Sequence, residues 1–198
     1  MTPEKLAHLE GVVGEKFPGL PRERAGEALV IRVTPDTLVT TMTRLRDDPD
    51  LDFRLLVDLA GVHYPDREKP LEVVYQLLSV HRNHRLRVKV AVREEEPVPS
   101  VIGVWSSANW YEREAYEMFG ILFSGHPDLR RLLTEYDFSG YPLRKEFPVT
   151  GHFEVRYDAN RARVVREPTR LSIPAREYYG RENGSGRSQT DPDRKVGG

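Results

Sequence analysis

Residues 109–133, NWYEREAYEMFGILFSGHPDLRRLL, hold the densest chemistry in the chain. Glu112, Arg113, Glu114 and Glu117 fall within six positions. Phe119 and Gly120 follow, and then His126, Pro127, Asp128, Arg130 and Arg131. Carboxylates three apart share a helix face. Glu114 and Glu117, joined by His126 and Asp128, could therefore hold a metal or act as acid and base. Helix-borne di-metal centres pair Glu with His three positions on, and neither that pattern nor HExxH occurs here. Two other readings stand beside this one. The first is a solvated helix face with ion pairs such as Arg113 with Glu117, each contributing about 0.2–0.5 kcal/mol. The second is a charged surface that a partner protein reads.

The spacing predicts a helix over 110–119. Tyr111, Ala115, Met118 and Phe119 recur at i, i+4, i+7 and i+8, so they form its apolar face, and Glu112, Arg113 and Glu117 project elsewhere. Ser107 or Asn109 is placed to cap its start, and Gly120 stands where a left-handed residue ends a helix. In front of it the pattern reads α, β, α, β, then a hairpin. Leu6, Leu9, Val13 and Phe17 mark a helix over 3–17 that Pro18 and Pro21 end. ALVIRV at 28–33 reads as a strand. Thr34 and Pro35 then start a helix to about Arg46, with Leu38, Met42 and Leu45 on one face. FRLLVDLAGVHY at 53–64 reads as a strand with an irregular exit. Leu71–Val80 and the alternating Leu86–Val92 read as a hairpin turning at Arg82, Asn83 and His84.

This order predicts an α+β fold: a two-layer α/β domain with a mixed sheet and a β-hairpin, followed by the motif helix and an extended C-terminal arm. The expected divisions are 1–99 for the α/β domain and 100–150 for the helix and a docking segment. An extended arm is expected over 151–180 and a disordered tail over 181–198. The tail holds one large apolar residue, Val196, too little to order itself.

Composition narrows the chemistry. The 198 residues carry a formal net charge of −1, so no overall field draws the chain to nucleic acid. The absence of cysteine excludes disulfides, thiol catalysis and clusters ligated by cysteines of this chain. The N-terminus lacks an unbroken apolar core and is not expected to be a secretory signal, and no run reaches the roughly 20 apolar residues of a membrane helix. Other candidates are weaker. His81 and His84 flank a turn, a spacing more common in solvated histidines than in metal sites; His63 and His152 are isolated. Trp105, Trp110, Tyr111 and Phe119 could line a ligand pocket, although core packing is the better account. Over 156–187 eight arginines face four acids, which suits an arm that orders on an acidic protein partner better than one binding nucleic acid. No phosphate-cradling glycine loop follows a strand.

A second charged stretch, GYPLRKEFP at 140–148, carries Arg144 and Lys145 in the same style as GHPDLRRLL, with Asp137 between them. The sequence E-R-E-x-x-E-M-F-G-I, then G-H-P-D-L-R-R-L-L, then Asp137, then G-Y-P-L-R-K-E-F-P resembles the signature of the C subunit of NADH:quinone oxidoreductase, respiratory complex I. The resemblance is dense over 100–150 and looser through FEVRYDANRARVVREP. It implies a non-redox member of the peripheral arm with a structural and assembly role and no catalytic centre of its own. It implies docking on the quinone-site D subunit, near the B and I subunits, through Glu112, Arg113, Glu114, Glu117, Phe119, Gly120, His126, Pro127, Asp128, Arg130, Arg131, Asp137, Arg144 and Lys145. FMN, iron–sulfur clusters, NADH and quinone would belong to the holoenzyme, and none would be bound by this chain. The expected place is the cytoplasmic side of the inner membrane of a bacterium, held there by the complex. Two alternatives stay open: the equivalent subunit of a membrane-bound hydrogenase or other quinone-linked complex, and a stand-alone metal-dependent enzyme using Glu114, Glu117, His126 and Asp128.

Overall fold

The computed structural model describes residues 2–135, 137–148, 151 and 153–170. Two compact units divide the chain, Met1–Pro148 and Val149–Gly198. In the first, α1 (Pro3–Lys16) starts at Thr2, whose hydroxyl accepts the Lys5 N–H at 3.4 Å. It is followed by β1 (Arg22–Ala25), β2 (Ala28–Arg32), α2 (Pro35–Asp47), β3 (Leu55–His63), β4 (Leu71–Ser79) and β5 (His84–Val92). The two-residue β6 (Val98–Pro99), α3 (Ala108–Phe119) and the two-residue β7 (Phe123–Ser124) complete the unit. The main sheet runs β1-β2-β5-β4-β3. Only β2 and β5 are parallel, so the sheet is mixed, as the sequence predicts.

Alternation decides which face is buried. Leu29, Ile31, Val73, Tyr75, Val88 and Val90 share a face by register and are almost fully buried. Leu6, Leu9 and Val13 of α1, Leu38, Met42 and Leu45 of α2, and Ala108 and Ala115 of α3 join the same core. The opposite face carries charge. Glu72 of β4 is 1% exposed, and Arg32 Nη1 and Lys89 Nζ each approach it to 3.0 Å. A carboxylate so placed is tolerated because cations from β2 and β5, with Arg67 at 3.7 Å, neutralise it.

Residues 100–148 fold into the same unit as residues 1–99, because β6 pairs with β7 and α3 lies across β3. The crossing is close. A Cβ on Gly61 of β3 would stand 2.5 Å from Phe119 Cδ2 and 3.1 Å from Ile121 Cδ1. Glycine is thus needed at 61 for backbone approach.

The sequence reading, which also lacks the short β6 and β7, differs from the structure in further places. The RERA of β1 has no alternation and four exposed residues, and pairs antiparallel with β2 through its backbone and one ion pair, Glu23 with Arg32 at 2.9 Å. The irregularity of β3 is a shift of register between Leu56 and Asp58, near its start rather than at its exit. Helix α3 begins two residues before the expected position, and Ser107 makes no side-chain cap. The arm opens as a hairpin, β8 (Phe153–Asp158) with β9 (Arg163–Pro168). Asp158 Oδ1 accepts the Asn160 and Arg161 N–H groups, and Ala162 takes φ 50°. His152, the rest of the arm and the expected tail over 181–198 lie outside the described residues.

Candidate functional site

Helix α3 turns charged side chains inward, against the expectation of a solvated face. Glu112, Arg113 and Glu117 are buried, while Met118 and Phe119 are half-buried and Trp110 is 57% exposed. Acid and cation are admitted to the interior because each meets polar groups of an irregular segment.

Glu117 organises the segment after β7. Its carboxylate accepts the Leu132 and Leu133 N–H groups at 2.7 and 2.8 Å, the Thr134 N–H at 2.5 Å, and the Thr134 hydroxyl. Burial alone would raise its pKa. The Thr134 hydroxyl and the three N–H groups outweigh burial and hold it below the usual glutamate value. Arg113 grips the same segment by its acceptors: Nε donates to the Arg130 carbonyl at 3.1 Å and Nη2 to the Arg131 carbonyl at 3.3 Å. Its guanidinium also lies 5.2 Å from the Trp110 ring centroid. Among the described residues Arg113 forms no ion pair with Glu117.

Glu112 holds the segment before α3. Its Oε1 accepts the Val101 N–H at 2.7 Å, and Ser100 Oγ lies 2.6 Å from Oε2. Burial pushes this carboxyl up to about 7. His126 stands beside it, with Nε2 4.0 Å from Oε2. His126 Nδ1 accepts the Asp128 N–H at 3.0 Å, so the ring proton sits on Nε2, which donates to the Asn109 carbonyl at 3.2 Å. Pro127 and Asp128 are exposed, and Asp128 pairs with Arg130 at 2.8 Å, which lowers the Asp128 pKa. Arg131 bonds Thr134 Oγ1 at 3.1 Å and lies over Phe138.

The 140–148 stretch closes the C-terminus of α3. Gly120 takes φ +75°, and a Cβ there would collide with Tyr141. The Leu143 N–H donates to the Met118 carbonyl at 3.1 Å and Arg144 Nε to the Phe119 carbonyl at 2.7 Å. A cation at this end also answers the helix dipole. Arg144 further reaches Glu94 at 3.1 Å and lies 4.6 Å over the Tyr141 ring. The Lys145 N–H donates to His63 Nδ1 at 3.2 Å, while the Lys145 side chain is exposed. Arg144→Ala is expected to destabilise the full chain by about 2 kcal/mol in urea denaturation, because a helix-end carbonyl and a stacked ring lose their partner. Arg144→Lys should recover less than half of this, since an ammonium cannot bond the carbonyl and stack flat together.

The motif therefore brings Glu112, Arg113, Glu117, Phe119, Gly120, His126 and Arg144 together as a frame. It leaves Glu114, Asp128, Arg130, Asp137 and Lys145 outside. Trp110, Leu133 and Leu143 are exposed as well, at 57%, 62% and 53%. The four residues considered for metal do not converge: Glu114 faces solvent and Glu117 is committed to backbone donors. Among the described residues no group of three or more such side chains could hold an ion. His84 is buried with its ring centroid 5.9 Å from that of His8, while His81 is exposed. Trp105 is core, whereas Trp110 is not. Sequence reasoning missed Thr134, His63, Tyr141 and Gly61. Each has a partner at least 17 positions away, beyond the reach of any local pattern.

No described helix is long and apolar enough to cross a membrane. Residues 31–153 match the family described as the respiratory-chain NADH dehydrogenase, 30 Kd subunit. The C subunit of NADH-quinone oxidoreductase from Methylobacterium sp. (strain 4-46) is 53% identical over 175 residues, which is 87% of this chain and 81% of that one. The protein of the same description from Azorhizobium caulinodans is 51% identical over 177 residues, 88% of this chain and 84% of its own. A chain of the archaeal membrane-bound sulfane sulfur reductase shares the fold, with TM-score 0.61 and 24% identity over 72% of this chain and 85% of that one. The chain belongs to the 30 Kd subunit family of respiratory-chain NADH dehydrogenases.

Proposed function

We propose that this chain is the C subunit of a proton-translocating NADH:quinone oxidoreductase. Identity of about one half across most of the chain to proteins of that description carries the reading. It has a structural and assembly role in the peripheral arm and no redox centre of its own. FMN, iron–sulfur clusters, NADH and quinone belong to neighbouring subunits. It docks on the quinone-site D subunit, close to the B and I subunits, on the cytoplasmic side of a bacterial inner membrane.

The geometry supports a division of labour within the motif. The buried charges shape the two irregular segments. A partner meets what is left outside: the exposed Trp110, Leu133 and Leu143, and the exposed Glu114, Asp128, Arg130 and Lys145. Exposed tryptophan and arginine are residue types that anchor interfaces. The hairpin of the arm adds a second apolar surface. Phe153, Val155, Tyr157 and Val164 share one of its faces and are each more than half exposed. Two strands alone are marginal in water, so a partner surface is expected to cover that face.

The test is affinity capture of the tagged chain from gently solubilised membranes. Recovery of a quinone-site subunit and cluster-bearing partners with NADH:quinone activity supports the reading. Recovery of hydrogenase subunits, or of the lone chain, overturns it. Trp110→Ser is expected to lower capture of the quinone-site subunit at least tenfold, equivalent to about 1.4 kcal/mol, with an unchanged urea midpoint.

A further inference from the structure

Glu112 is a buried carboxyl with no lysine or arginine in ion-pair reach among the described residues. Its side chain is fully covered. Three elements face it. The segment after β6 supplies the Val101 N–H and Ser100 Oγ. The loop after β7 supplies His126. From β4 comes Tyr75, whose buried hydroxyl has no hydrogen-bond partner among the described residues and lies within electrostatic reach of Glu112. The His126 ring is engaged elsewhere: its Nδ1 accepts the Asp128 N–H at 3.0 Å, and its Nε2 lies 3.2 Å from the Asn109 carbonyl. On the same helix Arg113 is turned to the Arg130 and Arg131 carbonyls, and Glu117 to the N–H groups of 132–134.

An ionised Glu112 would therefore be a buried charge answered by one N–H and one hydroxyl. The neutral acid fits better. Ser100 Oγ can accept its proton at 2.6 Å and is itself the acceptor of the Ile102 N–H at 3.3 Å. We propose that Glu112 is a proton-binding site of the folded subunit: it keeps its proton as a neutral acid donated to Ser100, and losing that proton to solvent loosens the 98–101 segment and the His126–Asp128 turn from α3. This inference stands whether or not the docking reading holds.

The direction of the pH effect follows. Burial sets the folded carboxyl near 7, above the ordinary value of about 4.3. Between these values the folded chain holds a proton that the unfolded chain has lost. The stabilisation is complete below the lower value. It falls as pH rises, by up to about tenfold in the folding equilibrium per pH unit, and is gone above the folded value.

The experiment uses the full chain labelled with carbon-13 at the glutamate carboxyls, together with Glu112→Gln, a neutral isostere. One resonance, missing from Glu112→Gln, is expected to titrate near 7. Exchange of the Val101 amide should accelerate between about pH 6 and 8 by roughly tenfold beyond the intrinsic base-catalysed rise. In Glu112→Gln it should follow the intrinsic rise alone. The proposal fails if every carboxyl titrates in the ordinary glutamate range, or if Glu112→Gln keeps the same loosening. Should that variant not fold, assigning the Glu112 resonance in the unaltered chain still decides.

Discussion

Glu117→Ala is expected to destabilise the Met1–Pro148 unit by about 3 kcal/mol, the largest single-residue effect on the motif. The carboxylate is the shared acceptor of three consecutive N–H groups and a hydroxyl. Removing it leaves those donors partly buried without a partner, and bonds to an ionised acceptor are about twice as strong as neutral ones. Glu117→Gln should recover little. Its amide keeps one oxygen, but its NH2 group then faces N–H donors. The pH profile separates this role from mere packing. Because the folded carboxyl lies below the ordinary value, its contribution is full above about 4.3 and is lost as pH falls through the folded value. Below about pH 4 the unaltered chain should therefore lose stability more steeply than Glu117→Gln. Urea midpoints across that range measure both effects. A loss under about 1 kcal/mol for Glu117→Ala would mean that water satisfies 132–134 as well as the carboxylate does.

Glu112 is expected to respond in the opposite sense, although it sits on the same helix. The contrast explains what could be read from residue types and what could not. The period of Tyr111 and Ala115 places a helix correctly, and Gly120 ends it where a left-handed residue must stand. The alternation of Leu86, Val88, Val90 and Val92 gives β5 and its buried face. The charged positions mislead, because helix period sorts apolar from polar but does not tell water from a buried donor set. A glutamate facing three backbone N–H groups and one facing solvent look alike until the loop that supplies the donors is in place. GHPDLRRLL and GYPLRKEFP, which read as docking segments, also have an internal task that residue types do not announce. Their backbones complete Glu117, Arg113 and the end of α3, while Leu133 and Leu143 stay outside. The short β1, β6 and β7 have no pattern to find, since two to four residues cannot show a period.

Gly61→Ala is expected to cost about 2–3 kcal/mol, and the cause can be isolated by a second substitution. The added methyl would stand 2.5 Å from Cδ2 and 2.9 Å from Cγ of Phe119, closer than a rigid ring permits. Either the ring leaves its rotamer or α3 lifts from β3. Phe119→Ala alone should cost about 2 kcal/mol, since the ring is only half-buried. The double variant removes the collision, because the methyl enters space the ring has vacated. Its cost should therefore fall short of the summed single costs by at least about 1 kcal/mol. Additivity within about 0.5 kcal/mol would mean that the collision relaxes elsewhere and that α3 is not held to β3 at this glycine. The consequence reaches the proposed docking face. Trp110 and Tyr111 ride on the same helix, and the Tyr111 hydroxyl bonds the Val57 carbonyl of β3 at 3.1 Å. A helix lifted at Phe119 strains that bond. Gly61→Ala should then weaken capture of the quinone-site subunit although residue 61 itself is buried, and Phe119→Ala in the same chain should restore part of it.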